Sequence, residues 1–145
     1  MTRTELIEEA LTRSVIGAFF EVYNTLGFGF LEHIYVMALE RELRARGHRV
    51  AREVWVRVAY KGEELGIQRI DMIVDDKLVV EIKATSKLHE SATRQLYNYL
   101  RSTKLEVGLL LHFGIKAHFY RQIHTDKESP RPNPFNHSNP HSLPS

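Results

Sequence analysis

Apolar positions along the chain change period several times, and each change marks an element. Across residues 2–25 they recur at helical intervals (Leu6, Ala10, Val15, Ala18, Phe19, Val22), and Thr2 and Glu5 stand at capping-box spacing, which predicts a first helix. Leu26-Gly27-Phe28-Gly29-Phe30 ends it, because paired glycines favour positive φ and each costs a helix ~1 kcal/mol. A second helix is expected from about Leu31 to Arg46. Its buried stripe is Leu31, Ile34, Tyr35, Ala38, Leu39 and Leu43, and Gly47 is its C-terminal stop. The period then shortens to two. Val54, Val56, Val58 and Tyr60 alternate with Trp55, Arg57 and Ala59, Lys61-Gly62 turns the chain, and a second strand follows over 67–74.

Two β-branched runs, Ile70 to Val74 and Leu78 to Ile82, flank Asp75-Asp76-Lys77 and predict a hairpin. A helix from about Ser86 to Ser102 follows. Val107 to Leu111 is apolar at every position, the pattern of a strand buried on both faces and hence parallel to its neighbour, which makes the strand-helix-strand unit a right-handed crossover. A last strand is expected from Ala117 to Ile123. The order is an α/β (α+β mixed-sheet) αβββαβ core with an extra N-terminal helix and an extra C-terminal strand. From Asp126 onward proline, asparagine, serine and histidine replace large apolar residues, so the domain is expected over 1–125 and a disordered tail over 126–145.

Composition narrows the chemistry. At 145 residues, 43% hydrophobic and 26% charged, the chain suits one globular domain. No apolar stretch approaches the ~18–20 residues that span a bilayer, and the first residues lack an apolar signal core, so a cytoplasmic, membrane-free protein is expected. The absence of cysteine excludes disulfides, thiolate nucleophiles and cysteine-ligated zinc. A net charge of +2 permits a nucleic-acid partner without demanding one.

The hairpin carries three charges where a core strand should have none: Asp71, Glu81 and Lys83. Side chains alternate faces along a strand, so Glu81 and Lys83 share one side. A two-residue turn at Asp75-Asp76 would send Asp71 to the opposite face. A three-residue turn, Asp75 to Lys77, pairs Asp71 with Glu81 and gathers Ile70, Met72, Val74, Leu78, Val80 and Ile82 on one apolar face, so hydrophobicity favours it. Two opposed carboxylates repel, and a half-buried site keeps both ionised only with a cation between them. A hard divalent ion with oxygen ligands fits. The plain alternative is a solvated strand face with a salt bridge from Lys83.

Asp71 followed by Glu81-Ile82-Lys83 resembles the PD-(D/E)XK nuclease signature, with Ile70 where the pattern often has proline. The element order resembles restriction-endonuclease-like folds. Gln95-x-x-x-Tyr99 on the helix after the hairpin resembles the exonuclease branch of that superfamily, whose Gln and Tyr commonly face the metal site. Gly29-x-x-Glu32-x-x-Tyr35 and the strand Gly108-Leu-Leu-Leu-His-Phe-Gly114 resemble the GxxExxY proteins of the same superfamily, a likeness that covers residues from about 5 to 122. The chain departs from that family at Tyr23 and Ala92, where histidine is usual, and at His112, where asparagine is usual.

The resemblance implies a metal-dependent nuclease. Asp71 and Glu81 would hold one Mg²⁺ or Mn²⁺ with the Ile82 carbonyl, Glu32 would add a carboxylate directly or through water, Lys83 would act on the attacking water, and Gln95 and Tyr99 would position phosphate or Lys83. The implied partner is nucleic acid, DNA ahead of RNA, and a homodimer is compatible with so small a nuclease. The rival is a catalytically silent nuclease-like fold that serves as a nucleic-acid- or protein-binding module. Tyr35 is expected to be a core aromatic beneath the site and His112 a hydrogen-bonded core histidine. His33, His48, His89, His118 and His124 are expected to face solvent, and the zinc reading fails for want of a supported histidine pair. Arg41, Arg44, Arg46, Arg49 and Arg52 form a basic cluster, a solvated surface ahead of a phosphate contact.

Overall fold

The computed structural model describes residues 7–125. Among these residues three helices and five strands follow the expected order: α1 Glu9–Leu26, α2 Glu32–Ala45, β1 Val50–Tyr60, β2 Glu63–Val74, β3 Leu78–Lys83, α3 Ala92–Thr103, β4 Val107–Phe113 and β5 Ala117–Ile123. The sheet runs β1-β2-β3-β4-β5; β3 and β4 are parallel and every other neighbour is antiparallel. Helices α1 and α2 bury Val15, Phe19, Tyr35 and Leu39 against one face of the sheet, and α3 buries Leu96, Tyr99 and Leu100 against the other. β4 lies between these layers, buried along its whole length as its uniform apolarity predicts. Tight packing sets where α3 sits. A Cβ on Gly108 would come within 2.8 Å of Leu96, so this backbone position lets the helix approach β4 closely.

Three boundaries differ from expectation. α1 begins at Glu9 behind Glu8, whose φ of 49° is left-handed, and the expected cap at Thr2 and Glu5 and the tail from Asp126 lie outside the described residues. β2 starts at Glu63, so β1 and β2 form a longer ribbon than the pattern over 67–74 indicates. α3 starts at Ala92, not at Ser86. The residues before it are drawn into local turns, in which the Thr85 hydroxyl donates to the Lys87 carbonyl at 2.6 Å and the Ser91 amide donates to His89 Nδ1 at 3.1 Å.

The β2–β3 hairpin takes the three-residue register. Val74 pairs with Leu78, Ile73 with Val79 and Met72 with Val80, around a turn closed by Lys77 N–H to Val74 C=O at 3.0 Å. Asp75 and Asp76 adopt φ of 53° and 58° inside it, a conformation that Asp tolerates better than most residues. One position breaks the expected apolar face. Met72, Val74, Leu78, Val80 and Ile82 pack under α1 and α2, but Ile70 packs under α3 with Val56 and Val79. The cause lies opposite Asp71, where Glu53 of β1 has φ of 53°. Below it Val50 faces α1 and α2; above it Val54 and Val56 face α3, while the β1–β2 register stays unchanged through Arg52↔Met72 and Val54↔Ile70. A left-handed residue inside a strand rotates the backbone beyond it, and the paired strands turn over together at Asp71.

Candidate active site

Ladder pairing between β2 and β3 stops at Met72↔Val80, and beyond it the two acids bridge the strands with their side chains. The Asp71 amide donates to Glu81 Oε1 at 2.9 Å, and the Ile82 amide donates to Asp71 Oδ2 at 2.8 Å. Each carboxylate thus satisfies an amide of the facing strand that the missing ladder leaves over. Such bonds are worth roughly 1.5–3 kcal/mol each where the acceptor is charged and less where it is neutral, and they fix where both acids stand. Among the described residues one oxygen of each carboxylate accepts these bonds, and the other keeps its lone pairs.

Electrostatics single out the same spot. Glu81 is buried, and its carboxyl is pushed up to about 8, first by desolvation and then by the charge of Asp71. Asp71 is raised by desolvation, against the opposing pull of the Ile82 amide and of the Lys83, Arg69 and Arg52 charges. Glu32, the first residue of α2, is raised by desolvation and then by Asp71. Tyr99 on α3 is pushed up to about 12 by burial and by the charges of Glu81 and Asp71, and its hydroxyl donates to the Arg69 carbonyl at 3.4 Å. Burial is the first cause at each of these groups, and the charge of Asp71 adds to it at Glu81, Glu32 and Tyr99.

The structure therefore brings Asp71, Glu81, Lys83, Glu32 and Tyr99 into one electrostatic neighbourhood. Lys83 is half-buried and acts on all three acids through its charge, without a direct ion pair among the described residues. A solvated strand face with a Lys83 salt bridge does not describe this arrangement. Gln95 lies one turn before Tyr99, half-buried, with no hydrogen bond to the acids. Arg69, two residues before Asp71 on β2, is a member that sequence reasoning passed over; its charge acts on Asp71 and Glu32. The donor set suits a hard cation: two converging carboxylates with free oxygens, both raised first by burial. Among the described residues no three acidic, histidine or cysteine groups form a metal cluster.

Other candidates settle into structural parts. Tyr35 is fully buried, stacks on Phe113 with ring centroids 4.2 Å apart and donates its hydroxyl to the Gly27 carbonyl while accepting from Phe30 N–H, fixing the loop before Glu32. His112 is buried, and its Nε2 donates to the Thr85 carbonyl at 2.7 Å. Tyr23, a departure from the family pattern, bonds the Gly114 and Ile115 carbonyls and ties α1 to the β4–β5 turn. His48 is not solvated as expected. Its Nε2 meets Ser14 Oγ at 2.7 Å and its Nδ1 meets Asp75 Oδ2 at 2.8 Å, joining α1 to the hairpin turn. His124 is likewise half-buried, edge-on to Tyr97. In the basic cluster Arg44 and Arg52 pair with Glu40, Arg46 with Glu42 and Arg49 with Asp76.

Comparison with known proteins agrees with this geometry. None of the curated proteins matches the chain. Among solved structures, the crystal structure of SSO0001 is similar with a TM-score of 0.52 at 23% identity, over 88% of this chain and 64% of that one, a likeness of fold. This chain thus spans just under two thirds of that protein's length. A profile of the PD-(D/E)XK nuclease superfamily matches residues 9–124, from the start of α1 to the end of β5, and so includes the hairpin and both helices that flank its acids. A hairpin whose Asp and Glu meet beside a lysine, in a restriction-endonuclease-like fold matched over that span, places the chain in the PD-(D/E)XK nuclease superfamily.

Proposed function

We propose that the protein is a metal-dependent nuclease that hydrolyses phosphodiester bonds of nucleic acid, DNA ahead of RNA. One observation carries the reading. Asp71 and Glu81 each bond the other strand's backbone at the point where the ladder ends, and both keep an oxygen free in a place that raises their pKa. A bound Mg²⁺ or Mn²⁺ would supply Lewis acidity to the scissile phosphate and lower the pKa of a bound water. Asp71 and Glu81 would hold that ion with the Ile82 carbonyl, and Glu32 would add its carboxylate directly or through water. Lys83 orients the attacking water or takes its proton and offsets charge on the phosphate. Tyr99, whose phenol stays protonated across neutral pH, donates to phosphate, and Gln95 does so from the turn before it. The spacing of Gly29, Glu32 and Tyr35 supports membership of the GxxExxY branch. Incubation with labelled single- and double-stranded DNA and RNA in Mg²⁺, Mn²⁺ or EDTA tests the reading. The expected result is cleavage that EDTA stops and Lys83→Ala reduces by ~10²–10⁴.

The rival reading is a catalytically silent nuclease-like fold that binds nucleic acid or protein without turnover. No cleavage under any condition, together with no metal binding by calorimetry, would establish it over the first.

A further inference from the structure

Above Glu53 and Asp71 the β1–β2 ribbon turns one face to α3 and leaves the other bare. Val54, Val56 and Ile70 pack under the helix. Their neighbours point the opposite way and form two cross-strand pairs, Trp55 with Arg69 and Arg57 with Ile67. All four are exposed: Trp55 is 60% accessible, Ile67 55%, and the arginine side chains 45% and 50%. The face is continuous with the acids. Trp55 lies directly across from Arg69, whose charge is felt at Asp71, Glu32 and Tyr99, and Arg69 is two residues, roughly 7 Å, from Asp71 along β2. From the other side Phe30, 46% accessible, stands two residues before Glu32 on the loop that Tyr35 secures.

We propose that this ribbon face binds a single, unpaired nucleic-acid strand, with Trp55 stacking on a base and Arg57 and Arg69 taking the adjoining phosphates, so that the site acts on single-stranded or frayed substrate. The proposal rests on the nuclease reading for its consequence but not for its binding. An exposed indole beside arginines is the combination that grips a flexible strand, since every base offers a π-face once it leaves its stack and the guanidiniums follow the backbone. A blunt duplex keeps its bases stacked and offers Trp55 only phosphate. The arginines are available, because their ion pairs with a half-buried Glu64 at 3.4 Å and an exposed Glu53 at 3.3 Å are long, solvent-screened contacts that a phosphate displaces. A second copy of the chain suits the face less well, as a twofold contact would set these arginines against their own counterparts.

Trp55 is the chain's single tryptophan, so its fluorescence reports on this face alone. The full chain is titrated in EDTA, where no cutting occurs, with oligo(dT) and with a blunt hairpin duplex of equal length. The expected result is saturable quenching by oligo(dT) at an affinity at least about tenfold above that for the duplex. Trp55→Ala, followed by anisotropy of a labelled strand, should weaken single-strand binding by roughly 5- to 150-fold, the equivalent of one lost base stack, and Trp55→Phe should restore part of it. Circular dichroism confirms that the exposed substitution leaves the fold intact. Equal affinity for the duplex, no quenching, or a tryptophan signal that follows protein concentration and not oligonucleotide would each overturn the proposal, the last in favour of a self-association face. The two readings fail separately. Single-strand binding without cleavage in Mg²⁺ sinks the nuclease reading alone, and cleavage with strand binding unchanged in Trp55→Ala sinks this one alone.

Discussion

The two ends of the β2–β3 hairpin treat a carboxylate in opposite ways. At the turn, desolvation pushes Asp75 up, but the Arg49 amide at 2.8 Å, the His48 ring at 2.8 Å and their charges outweigh it and hold the carboxyl below its usual range. At the open end, four residues away, Asp71 and Glu81 share two amides and one nearby lysine, and both are raised. The same chemical group is a completed joint at one end and an unfinished one at the other. Burial alone does not distinguish a structural acid from a functional one; the balance between desolvation and available partners does.

The largest effect expected of any single change falls on the unfinished end. Asp71→Asn or Glu81→Gln should lower cleavage by at least ~10² and abolish the rise in melting temperature that Mg²⁺ or Mn²⁺ gives the unaltered protein, read by scanning calorimetry with and without EDTA. An unchanged metal-induced shift in both variants would move the ion elsewhere.

The second contrast is in pH. Glu81 titrates near 4.5 when unfolded and about 8 when folded, so the unfolded state releases its proton first. Its burial therefore costs nothing below pH 4.5, costs increasingly as pH rises to 8, and costs on the order of a few kcal/mol above that. Asp75 runs the other way. Its depressed pKa contributes stability that is present above its unfolded value of 3.8 and is lost as pH falls through the lower folded value. In EDTA, Glu81→Gln should raise stability at pH 8 and not at pH 4.5, whereas Asp75→Asn should flatten the acid side alone. Denaturant melts across pH separate the two. Identical pH profiles for both variants would erase the distinction between the hairpin ends.

Smaller effects belong to the joints. His48→Ala removes the link between Ser14 and Asp75 and should cost about 1–3 kcal/mol by urea unfolding while leaving metal-dependent cleavage within about twofold. Smallest of all, Tyr35→Phe keeps the stack on Phe113 but loses the hydroxyl that ties Gly27 and Phe30, for about 1 kcal/mol and a faster hydrogen exchange confined to the loop.

Much of the fold and of the acid pair is legible in the residues, for identifiable reasons. The three-residue register follows from apolar alternation across Asp75 to Lys77, and the buried parallel β4 from its unbroken apolar run. Ile70 escapes because period-two reasoning assumes extended backbone throughout, and nothing in the sequence marks Glu53 as left-handed. His48 escapes because its partners lie 34 residues before it and 27 after it, a distance over which spacing says nothing. The late start of α3 reflects Thr85, His89 and Ser91 bonding to nearby backbone and to one another, a competition that helix propensity does not register.

From Arg57 to Arg69 the ribbon supplies no buried hydrophobic residue to either core. Its tip can consequently be exchanged, lengthened or re-sequenced at little expense to folding, since loop extension costs only slowly with length. Evolution, or a protein engineer, can thus graft new binding preferences onto this scaffold at Lys61 and Gly62 while the acid pair stays where it is.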